Sequence, residues 1–376
     1  MAKDKILQSI LDGRRKYLAK IQGCLIGGAV GDALGYVIEF MQYRDIRQTY
    51  GPGGITEYEL IDGKALISDD TQMTLFTANG LLYGETQMMV QGSCDAPHTY
   101  IPFAYRDWLY TQDPSYKPEK SISWLLEIPE LHAKRAPGNT CLSALRSGKV
   151  GTMEKSLNSS CGCGGVMRVA PIGLFYGQYY DQLSAENLIR FGAGAAAVTH
   201  GHPLGYIPAG MLSLIIEKSV FTEDKLSEII ADSLEETKKV FHINTYWNGF
   251  EKLIQQAIEF SDNDESDVTN ISKLGEGWLG HETLAIAIYC ALRYEHDFSS
   301  GITAAVNHDG DSDSTGSVCG NILGAYVGMD GIDNKWTADL ELRDKILEIG
   351  TDLCDHCHME KNEDYEDPVW RRKYGE

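Results

Sequence analysis

Apolar residues recur along most of this chain with the three- and four-residue spacing that places them on one face of a helix. The clearest example is the set Leu284, Ala287, Ile288 and Ala291. Other segments show the same spacing, namely 71–83, 184–199, 204–217, 223–240 and 339–354. Strand-like alternation is rare, and the best extended candidate, 57–67, is interrupted by Asp62-Gly63. The pattern predicts an all-α architecture.

Polar stretches between these segments predict surface loops. They are 85–102, 111–122 and 261–270, and the last of them is strongly acidic. The C-terminal tail, 359–376, is also polar, and we expect it to be loosely held.

Two glycine ladders, each with a spacing of four residues, stand out near opposite ends of the chain. They are Gly23, Gly27, Gly31 and Gly35, and Gly316, Gly320, Gly324 and Gly328. Glycine costs up to about 1 kcal/mol relative to alanine inside a helix, so four in register indicate that another requirement outweighs this cost. A ridge without side chains lets a second backbone approach closely. We therefore expect two central helices packed together in a single domain spanning 1–376.

The composition excludes several classes of protein. Hydrophobic residues make up 43% of the 376 residues and charged residues 23%, as in ordinary globular proteins rather than disordered or fibrous ones. No apolar stretch reaches the roughly 18 uncharged residues of a membrane span, and residues 1–20 lack a signal-peptide core. Nine cysteines at irregular spacing fit a reducing compartment better than a disulfide framework. We expect a cytoplasmic protein with no membrane association.

The charge balance limits the partners of the protein. The chain has 33 basic and 54 acidic residues, a net charge of −21. Such a surface repels phosphate backbones and anionic lipids, so a nucleic-acid partner is not expected. A substrate that itself carries phosphates would need local positive charge from metal ions, helix N-termini or glycine-rich backbone amides.

The first candidate for chemistry is the sequence Ser68-Asp69-Asp70-Thr71, directly before an apolar helical segment. These residue types are favoured at helix N-termini, so capping is one interpretation. Capping needs only one such residue, however, and adjacent carboxylates repel each other unless a cation or a strongly polar setting offsets them. A metal site is therefore the second interpretation.

The second candidate is Asp309-Gly310-Asp311-Ser312-Asp313-Ser314-Thr315, directly before the second glycine ladder. Its alternating carboxylates and hydroxyls are hard oxygen ligands of the kind that Mg²⁺, Mn²⁺ or Ca²⁺ prefers. Helix capping is again the alternative. Because both acidic clusters precede helices whose chain ends are expected to meet, a shared metal site is the interpretation we favour.

Two other interpretations of the second cluster fit less well. It matches the D-x-D-x-T pattern of haloacid-dehalogenase-type phosphatases, but no hydrophobic strand precedes it and a glycine-laddered helix follows. An EF-hand loop fits Asp309, Asp311 and Asp313, but Ser314 and Gly320 occupy the positions where that loop needs glycine and glutamate.

Several weaker motifs have plain structural interpretations. The stretch 192–197 resembles a dinucleotide fingerprint but follows a helical lead-in, which favours close helix packing. The sequence 354–358 matches the haem-attachment pattern C-x-x-C-H, which we take as chance because no export signal accompanies it; a zinc site there is also disfavoured.

The glycine-rich stretch 158–168 is either a long turn or a loop whose amides approach phosphates. His200, in a break between helices, is either structural or lines a cleft, and Glu39 is either a surface acid or a cleft acid.

Taken in order, these motifs resemble the ADP-ribosylglycohydrolase family, which contains the dinitrogenase-reductase-activating glycohydrolase. The matching pieces are Gly31-Asp-Ala-Leu-Gly35 with Glu39, Ser68-Asp-Asp-Thr71, Asn158 to Arg168, Thr199-His200 and Gly310 to Gly316. The resemblance covers roughly residues 20 to 330 and implies an all-helical orthogonal bundle with a binuclear Mg²⁺ or Mn²⁺ centre.

The resemblance also implies a role for each matched residue. The implied metal ligands are Ser68, Asp69, Asp70, Asp311, Asp313 and Ser314, with Asp309 just outside the motif. The implied catalytic residues are Glu39, Asp70 and Asp311. The implied substrate-binding residues, around the diphosphate and ribose, are Asn139, Gly162, Cys163, Gly164, Gly165, Arg168 and His200.

Elementary chemistry agrees with this assignment. Cleaving an N-glycosidic bond at the anomeric carbon of ribose builds positive charge on the sugar. Divalent cations can hold the sugar hydroxyls and position the attacking water, while a carboxylate accepts the proton of that water. One departure is Cys161, which stands where the family often has lysine, so a cation beside the phosphate loop is missing.

The sequence thus predicts a metal-dependent hydrolase that removes ADP-ribose from a protein side chain, which we expect to be arginine. Its partners would be ADP-ribosylated proteins and ADP-ribose. The alternatives are a catalytically silent ADP-ribose-binding or structural protein on the same fold, a phosphatase acting through Asp311, and a hydrolase of ADP-ribosyl-serine or of a small-molecule ADP-riboside.

Overall fold

Helices make up nearly all of the regular structure in the computed structural model, which describes residues 13–179, 183–359, 361 and 367–375. The α-helices are α1 (Leu18–Tyr36), α2 (Tyr43–Tyr50), α3 (Asp69–Thr86), α4 (Ile101–Gln112), α5 (Asn139–Arg146), α6 (Ala170–Tyr176), α7 (Ala185–Ala197), α8 (Pro203–Phe221), α9 (Leu226–Phe241), α10 (Trp247–Ser261), α11 (Asp267–Leu274), α12 (Gly280–Arg293), α13 (Phe298–Val306), α14 (Ser312–Val327), α15 (Asn334–Thr337), α16 (Arg343–Asp355) and α17 (Pro368–Tyr374). Short 3₁₀ turns and one π turn, Gln87–Gln91, join some of them. Within these residues there is no β-strand, only isolated bridges such as Ala65 with Leu340. The all-α prediction is confirmed.

Helices α1 and α14 form the centre of the fold, and their glycine ladders face each other. A Cβ atom placed on Gly27 or Gly31 would lie less than 3.0 Å from the carbonyl oxygen of Gly320 or Gly316, respectively. The same holds in the opposite direction for Gly320 and Gly316. No other residue type fits such an approach, so the predicted pairing of helices from opposite ends of the chain is confirmed.

Helix α3 lies beside this pair and is buried along its whole length. Its polar residues are tolerated because the hydroxyls of Thr74, Thr77 and Thr86 donate to backbone carbonyls one turn earlier, at 2.8, 2.9 and 2.8 Å. The N-terminus of α3 carries Asp69 and Asp70. The interior position of the helix therefore brings the first acidic cluster close to the start of α14.

Helix α8 is long and apolar enough to cross a membrane by length and composition, but 83% of its most apolar window is buried inside the protein. This burial is what a core helix requires. Its packing against α7 is close, because a Cβ atom on Gly192 would lie 2.7 Å from the Ala209 carbonyl oxygen. Helix packing is thus the role of the fingerprint-like stretch 192–197.

Most of the predicted helical segments lie inside observed helices, but boundaries differ. The predicted segment 339–354 begins too early, because Leu340 pairs with Ala65 and Leu342 adopts a positive φ of 57° before α16 starts. The predicted extended segment 57–67 contains only isolated bridges. The predicted loops 85–102 and 261–270 are partly helical, since α3 continues to Thr86 and α11 begins at Asp267.

The C-terminal region is more ordered than its polarity suggests. Residues 360, 362–366 and 376 lie outside the described part of the chain, but α17 packs on the domain with Trp370 and Tyr374 buried. The Trp370 indole donates to the Thr86 hydroxyl at 2.8 Å, and the Tyr374 hydroxyl donates to Asp352 at 2.7 Å. The expectation of a loosely held tail is wrong for these residues.

The cysteine–histidine motif at 354–358 has a structural role. His356 is fully buried and pairs with Glu85 through its Nδ1 atom at 2.9 Å, and the Cys357 amide donates to the same carboxylate at 2.8 Å. In the described part of the chain, no set of three metal-ligating side chains forms here. Neither a haem nor a zinc site is therefore indicated.

Candidate active site

A cavity of about 510 Å³ opens where the two acidic clusters meet the glycine-rich loop. The predicted site residues that line it are Glu39, Asp69, Asp70, Asn139, Gly162, Cys163, Gly164, His200, Asp311, Asp313 and Ser314. Three predicted site residues do not line it, namely Ser68, Gly165 and Arg168. The structure thus gathers most of the predicted set in one place.

The first acidic cluster both caps α3 and faces the cavity. The Ser68 hydroxyl accepts a hydrogen bond from the Asp70 amide at 3.2 Å, and the Asp69 carboxylate accepts one from the Gly138 amide at 3.2 Å. One oxygen of Asp70, Oδ1, is buried without a hydrogen-bond partner. The cluster therefore caps the helix and still leaves one carboxylate oxygen available to a metal ion. Helix capping and metal binding, the two interpretations of this cluster, are compatible.

The second cluster is built in the same way at the start of α14. The Ser314 amide donates to Asp311 at 3.2 Å and to Asp313 at 2.9 Å. The Asp311 amide in turn donates to the Glu276 carbonyl at 2.8 Å, which anchors the cluster to a neighbouring loop. Asp309 is exposed and accepts from the Tyr43 amide at 2.7 Å, so it caps α2 and does not line the cavity.

The carboxylates of the cavity are buried close to one another, which raises the pKa values of four of them. Burial, followed by the charges of Asp311, Asp69 and Asp32, raises the pKa of Glu39 to about 9. Burial is also the main cause that raises the pKa of Asp69 to about 8 and the pKa values of Asp70 and Asp313 well above normal. Among the described residues, no lysine or arginine lines the cavity.

These features fit divalent cations. Carboxylate oxygens of Glu39, Asp311 and Asp313 lie within 4.8 Å of one another, so one ion can reach all three. Besides Asp70 Oδ1, the Glu39 Oε2 atom is buried without a hydrogen-bond partner. A set made of carboxylate and hydroxyl oxygens suits Mg²⁺ or Mn²⁺, and positive charge would relieve the repulsion among the acids. The sequence analysis gave Glu39 a catalytic role only, whereas the structure also groups it with two predicted ligands.

The glycine-rich loop forms another part of the cavity wall. The Cys163 amide donates to the Trp278 carbonyl at 3.0 Å, and the Gly280 amide donates to the Cys161 carbonyl at 2.8 Å. A Cβ atom on Gly164 would lie 3.0 Å from both the Cys141 sulfur and the His200 ring. Any side chain at this position would therefore press on Cys141 and His200.

Gly165 is a position of close packing and does not line the cavity. A Cβ atom there would lie 2.7 Å from the Gly205 carbonyl oxygen at the start of α8. Its missing side chain lets the loop lie against that helix, which explains why the residue does not line the cavity.

Arg168 lies beneath the loop rather than in the cavity. Its side chain is fully buried, and its guanidinium donates to the Thr199 hydroxyl at 2.6 Å and to the Ala195 carbonyl at 3.3 Å. It also stacks over the Tyr105 ring, with 4.2 Å to the ring centroid. The family resemblance implied that this cation lies beside the substrate, but one terminal nitrogen contacts interior acceptors and the Nε atom is buried without a hydrogen-bond partner.

His200 lines the cavity as a neutral ring. Its Nδ1 atom lies 2.9 Å from the Thr199 hydroxyl, which Arg168 also contacts. Burial, followed by the charge of Arg168, lowers the pKa of His200 to about 3. Arg168 thus influences the cavity through the residues that it holds in place.

A loop that joins two parts of the cavity wall was not predicted from the sequence. Residues 276–280 contact the second acidic cluster through the Glu276 carbonyl and the glycine-rich loop through the Trp278 carbonyl. The Trp278 ring stacks on Phe40 at the cavity, with ring centroids 5.8 Å apart and an interplanar angle of 19°. Phe40 is 75% exposed, and Trp278 is 36% exposed. The glycines that flank Trp278 were the only available signal in the sequence.

Comparisons with known proteins identify the family of this chain. Residues 14–363 match the family model described as ADP-ribosylglycohydrolase. The chain is 25% identical to ADP-ribosylhydrolase ARH3 of Bos taurus, over 88% of this chain and 90% of that protein. It is 24% identical to the ADP-ribosyl-[dinitrogen reductase] glycohydrolase of Rhodospirillum rubrum, over 85% of this chain and 90% of that protein.

A solved structure described as an ADP-ribosylglycohydrolase-related protein complex has the same fold. It superimposes with a TM-score of 0.60 at 22% identity, covering 90% of this chain and 98% of that one. Together with the match of the family model along most of the sequence, this shows that the chain belongs to the ADP-ribosylglycohydrolase family, whose enzymes hydrolyse ADP-ribose linkages.

Proposed function

We propose that this protein hydrolyses the N-glycosidic bond between ADP-ribose and an arginine side chain, with two divalent cations, Mg²⁺ or Mn²⁺, as cofactors. The observation that supports it most directly is the convergence of Glu39, both acidic clusters and the glycine-rich loop on one cavity. The physiological substrate would be an ADP-ribosylated protein in the cytoplasm.

The residues that would hold the cations are those with oxygen atoms at the cavity: Glu39, Asp69, Asp70, Asp311, Asp313 and Ser314. Ser68 lies just behind them and contributes by holding the Asp70 amide. When bound, two divalent cations would supply positive charge that offsets these carboxylates and attracts the ribose hydroxyls.

The other steps belong to side chains and amides of this protein. Burial and neighbouring acids favour the protonated form of Glu39, so it would act as a base only when bound cations offset that charge. Its carboxylate oxygen without a hydrogen-bond partner would then accept a proton from the attacking water. The loop at Gly162–Gly164 and the N-terminus of α5 at Asn139 lie on the same cavity. Because the Cys163 amide already donates to the Trp278 carbonyl, the amides at this helix N-terminus are the ones suited to a diphosphate. Neutral His200 would flank the ribose.

Charge favours arginine as the acceptor side chain. The guanidinium group is positive, the protein has a net charge of −21, and the described lining of the cavity contains no lysine or arginine that would repel it. A serine acceptor is neutral and gains nothing from this field.

A panel of substrates tests the proposal. ADP-ribosyl-arginine, ADP-ribosyl-serine and a small-molecule ADP-riboside are each incubated with the protein, with and without Mg²⁺ or Mn²⁺, and released ADP-ribose is measured. We expect metal-dependent release from arginine, and none from the Asp311→Ala, Asp313→Ala double variant. Asp309→Ala is the matched control, because Asp309 is an exposed acid of the same motif outside the cavity.

Each other outcome corrects a defined part of the proposal. Release of ADP-ribose from serine alone would show that the acceptor is serine and not arginine. Binding of ADP-ribose without turnover would indicate a catalytically silent protein. If the double variant were as active as the wild type on every substrate, Asp311 and Asp313 would not belong to the active site. A trapped aspartyl-phosphate at Asp311 would indicate a phosphatase instead.

A further inference from the structure

Asp32 is a fully buried acid that does not line the cavity yet contacts the first acidic cluster. Its carboxylate accepts hydrogen bonds from the Ser68 amide at 3.0 and 3.1 Å, and from the Thr71 amide at 3.1 Å. It also accepts a hydrogen bond from the Thr71 hydroxyl. These donors lie on both sides of Asp69-Asp70, so one side chain of α1 holds that pair from behind.

The next turn of α1 contacts the second acidic cluster. A Cβ atom on Gly35 would lie 2.5 Å from the Asp313 amide nitrogen and less than 3.0 Å from the Ser312 carbonyl oxygen. The backbone of α1 therefore lies directly against the residues that begin α14. Asp32 and Gly35 belong to one rigid helix, and each is in contact with a different cluster.

We propose that Asp32 and Gly35 are positioning residues, through which α1 sets the separation and orientation of the two carboxylate clusters so that both can bind the same pair of cations. This inference rests on the proposed function, because it assumes that the clusters hold divalent ions. Neither residue lines the cavity, so both act through Asp69, Asp70 and Asp313.

A carboxylate suits the position of Asp32 better than any neutral side chain of its size. It must accept from two amides and a hydroxyl at once, and both of its oxygens do so. Asparagine has only one acceptor oxygen, and its NH₂ group would face an N–H donor. The Ser68 amide, which donates to both oxygens of Asp32, would then face a donor in place of one of them, and this repulsion would let the start of α3 shift.

The test measures metal binding rather than turnover. Mn²⁺ is titrated into the purified full chain by calorimetry, and thermal unfolding of each variant is recorded in parallel. We expect Asp32→Asn and Gly35→Ala to weaken Mn²⁺ binding by about 10- to 100-fold, the range typical when groups that orient metal ligands are changed.

Gly23→Ala is the matched control on the same helix. A Cβ atom there would meet the Gly324 carbonyl and Gly328 as closely as one on Gly35 meets α14, but at the far end of the ladder from the cavity. It should lower thermal stability as Gly35→Ala does, while its folded fraction binds Mn²⁺ with wild-type affinity. A loss of affinity equal to that of Gly35→Ala would show only a general packing effect and would overturn the inference.

A milder variant keeps the inference testable if Asp32→Asn does not fold. Thr71→Val removes the hydroxyl donor to Asp32 and preserves the shape of the side chain. It should weaken Mn²⁺ binding several-fold. If the wild type binds Mn²⁺ and these variants bind it equally well, the inference fails and the proposed function stands; if the wild type binds no divalent cation, both fail.

Discussion

Asp70 and Asp313 line the same cavity, and the negative charge of Asp70, added to burial, raises the pKa of Asp313 well above normal. The two residues come from opposite parts of the chain and begin different helices. No cationic side chain in the described lining of the cavity offsets them. The predictions about metal ions and stability follow from this uncompensated charge.

Divalent cations should stabilise the folded protein. Mg²⁺ or Mn²⁺ would bind the acids only when the fold brings them together, and a ligand at 100 times its Kd stabilises by about 2.7 kcal/mol. We expect a higher unfolding temperature in Mn²⁺ than in EDTA, measured by differential scanning calorimetry. The Asp311→Ala, Asp313→Ala double variant should show no such difference, and a shift of equal size in that variant would contradict the prediction.

Neutralising one acid should stabilise the metal-free protein and impair its activity. Asp313→Asn retains an oxygen that can accept from the Ser314 amide but removes a repelled buried charge. We expect a gain of roughly 0.5–2 kcal/mol in the unfolding free energy in EDTA, as when other strained functional groups are removed. Turnover should fall by more than about 100-fold, since even changes around metal ligands cost 10- to 100-fold. Asp309→Asn, measured alongside, should alter neither quantity; a destabilised Asp313→Asn protein would refute the argument.

The glycine ladder should tolerate no side chain. Gly27→Ala places a Cβ atom less than 3.0 Å from the Gly320 carbonyl, a backbone atom that cannot move aside. We expect a loss of about 1–3 kcal/mol or more in chemical denaturation. Gly194→Ala, inside α7 with nothing within 4 Å of the added atom, should instead stabilise by about 0.4–1 kcal/mol. Similar effects of the two substitutions would show that close helix contact is not the reason for the ladder.

Stability should depend on pH through Glu217, which lies on α8. Burial raises the pKa of this carboxyl from 4.5 to about 7, despite the opposing charge of Lys218. Between these two values the unfolded chain releases a proton that the folded protein retains, so the unfolding free energy should fall as pH rises from about 4.5 to about 7. Glu217→Gln should flatten this part of the profile in denaturant titrations. Glu235→Gln, at an exposed position of α9, should leave it unchanged; an unaltered slope in Glu217→Gln would disprove the assignment.

Local patterns in the sequence predicted where the helices lie and that each of the two acidic clusters stands at the start of a helix. The spacing of apolar residues reports which face of a helix is buried, and residue types at helix N-termini report capping, so both are readable without coordinates. The glycine ladders went further. Glycine at every fourth position is so costly in an isolated helix that a tertiary contact, between α1 and α14, could be inferred from it.

The direction in which side chains point, by contrast, was decided by the tertiary structure. Arg168 has a sequence neighbourhood that suggests phosphate binding, yet the interior acceptors Thr199 and Ala195 hold it beneath the loop. Glu39 joins Asp311 and Asp313 only because α1 ends beside the start of α14. Phe40 and Trp278 likewise stack on each other although they are far apart in the sequence.

The sequence by itself therefore determined the helical class and the central helix pair, and it predicted that the two acidic clusters share a site, because each depends on residue types at fixed spacing along the chain. Only the tertiary structure decided that Glu39 joins two of these acids, that Arg168 is left outside the cavity and that residues 276–280 join its walls. Those relationships depend on packing between segments far apart in sequence, and no local pattern encodes them.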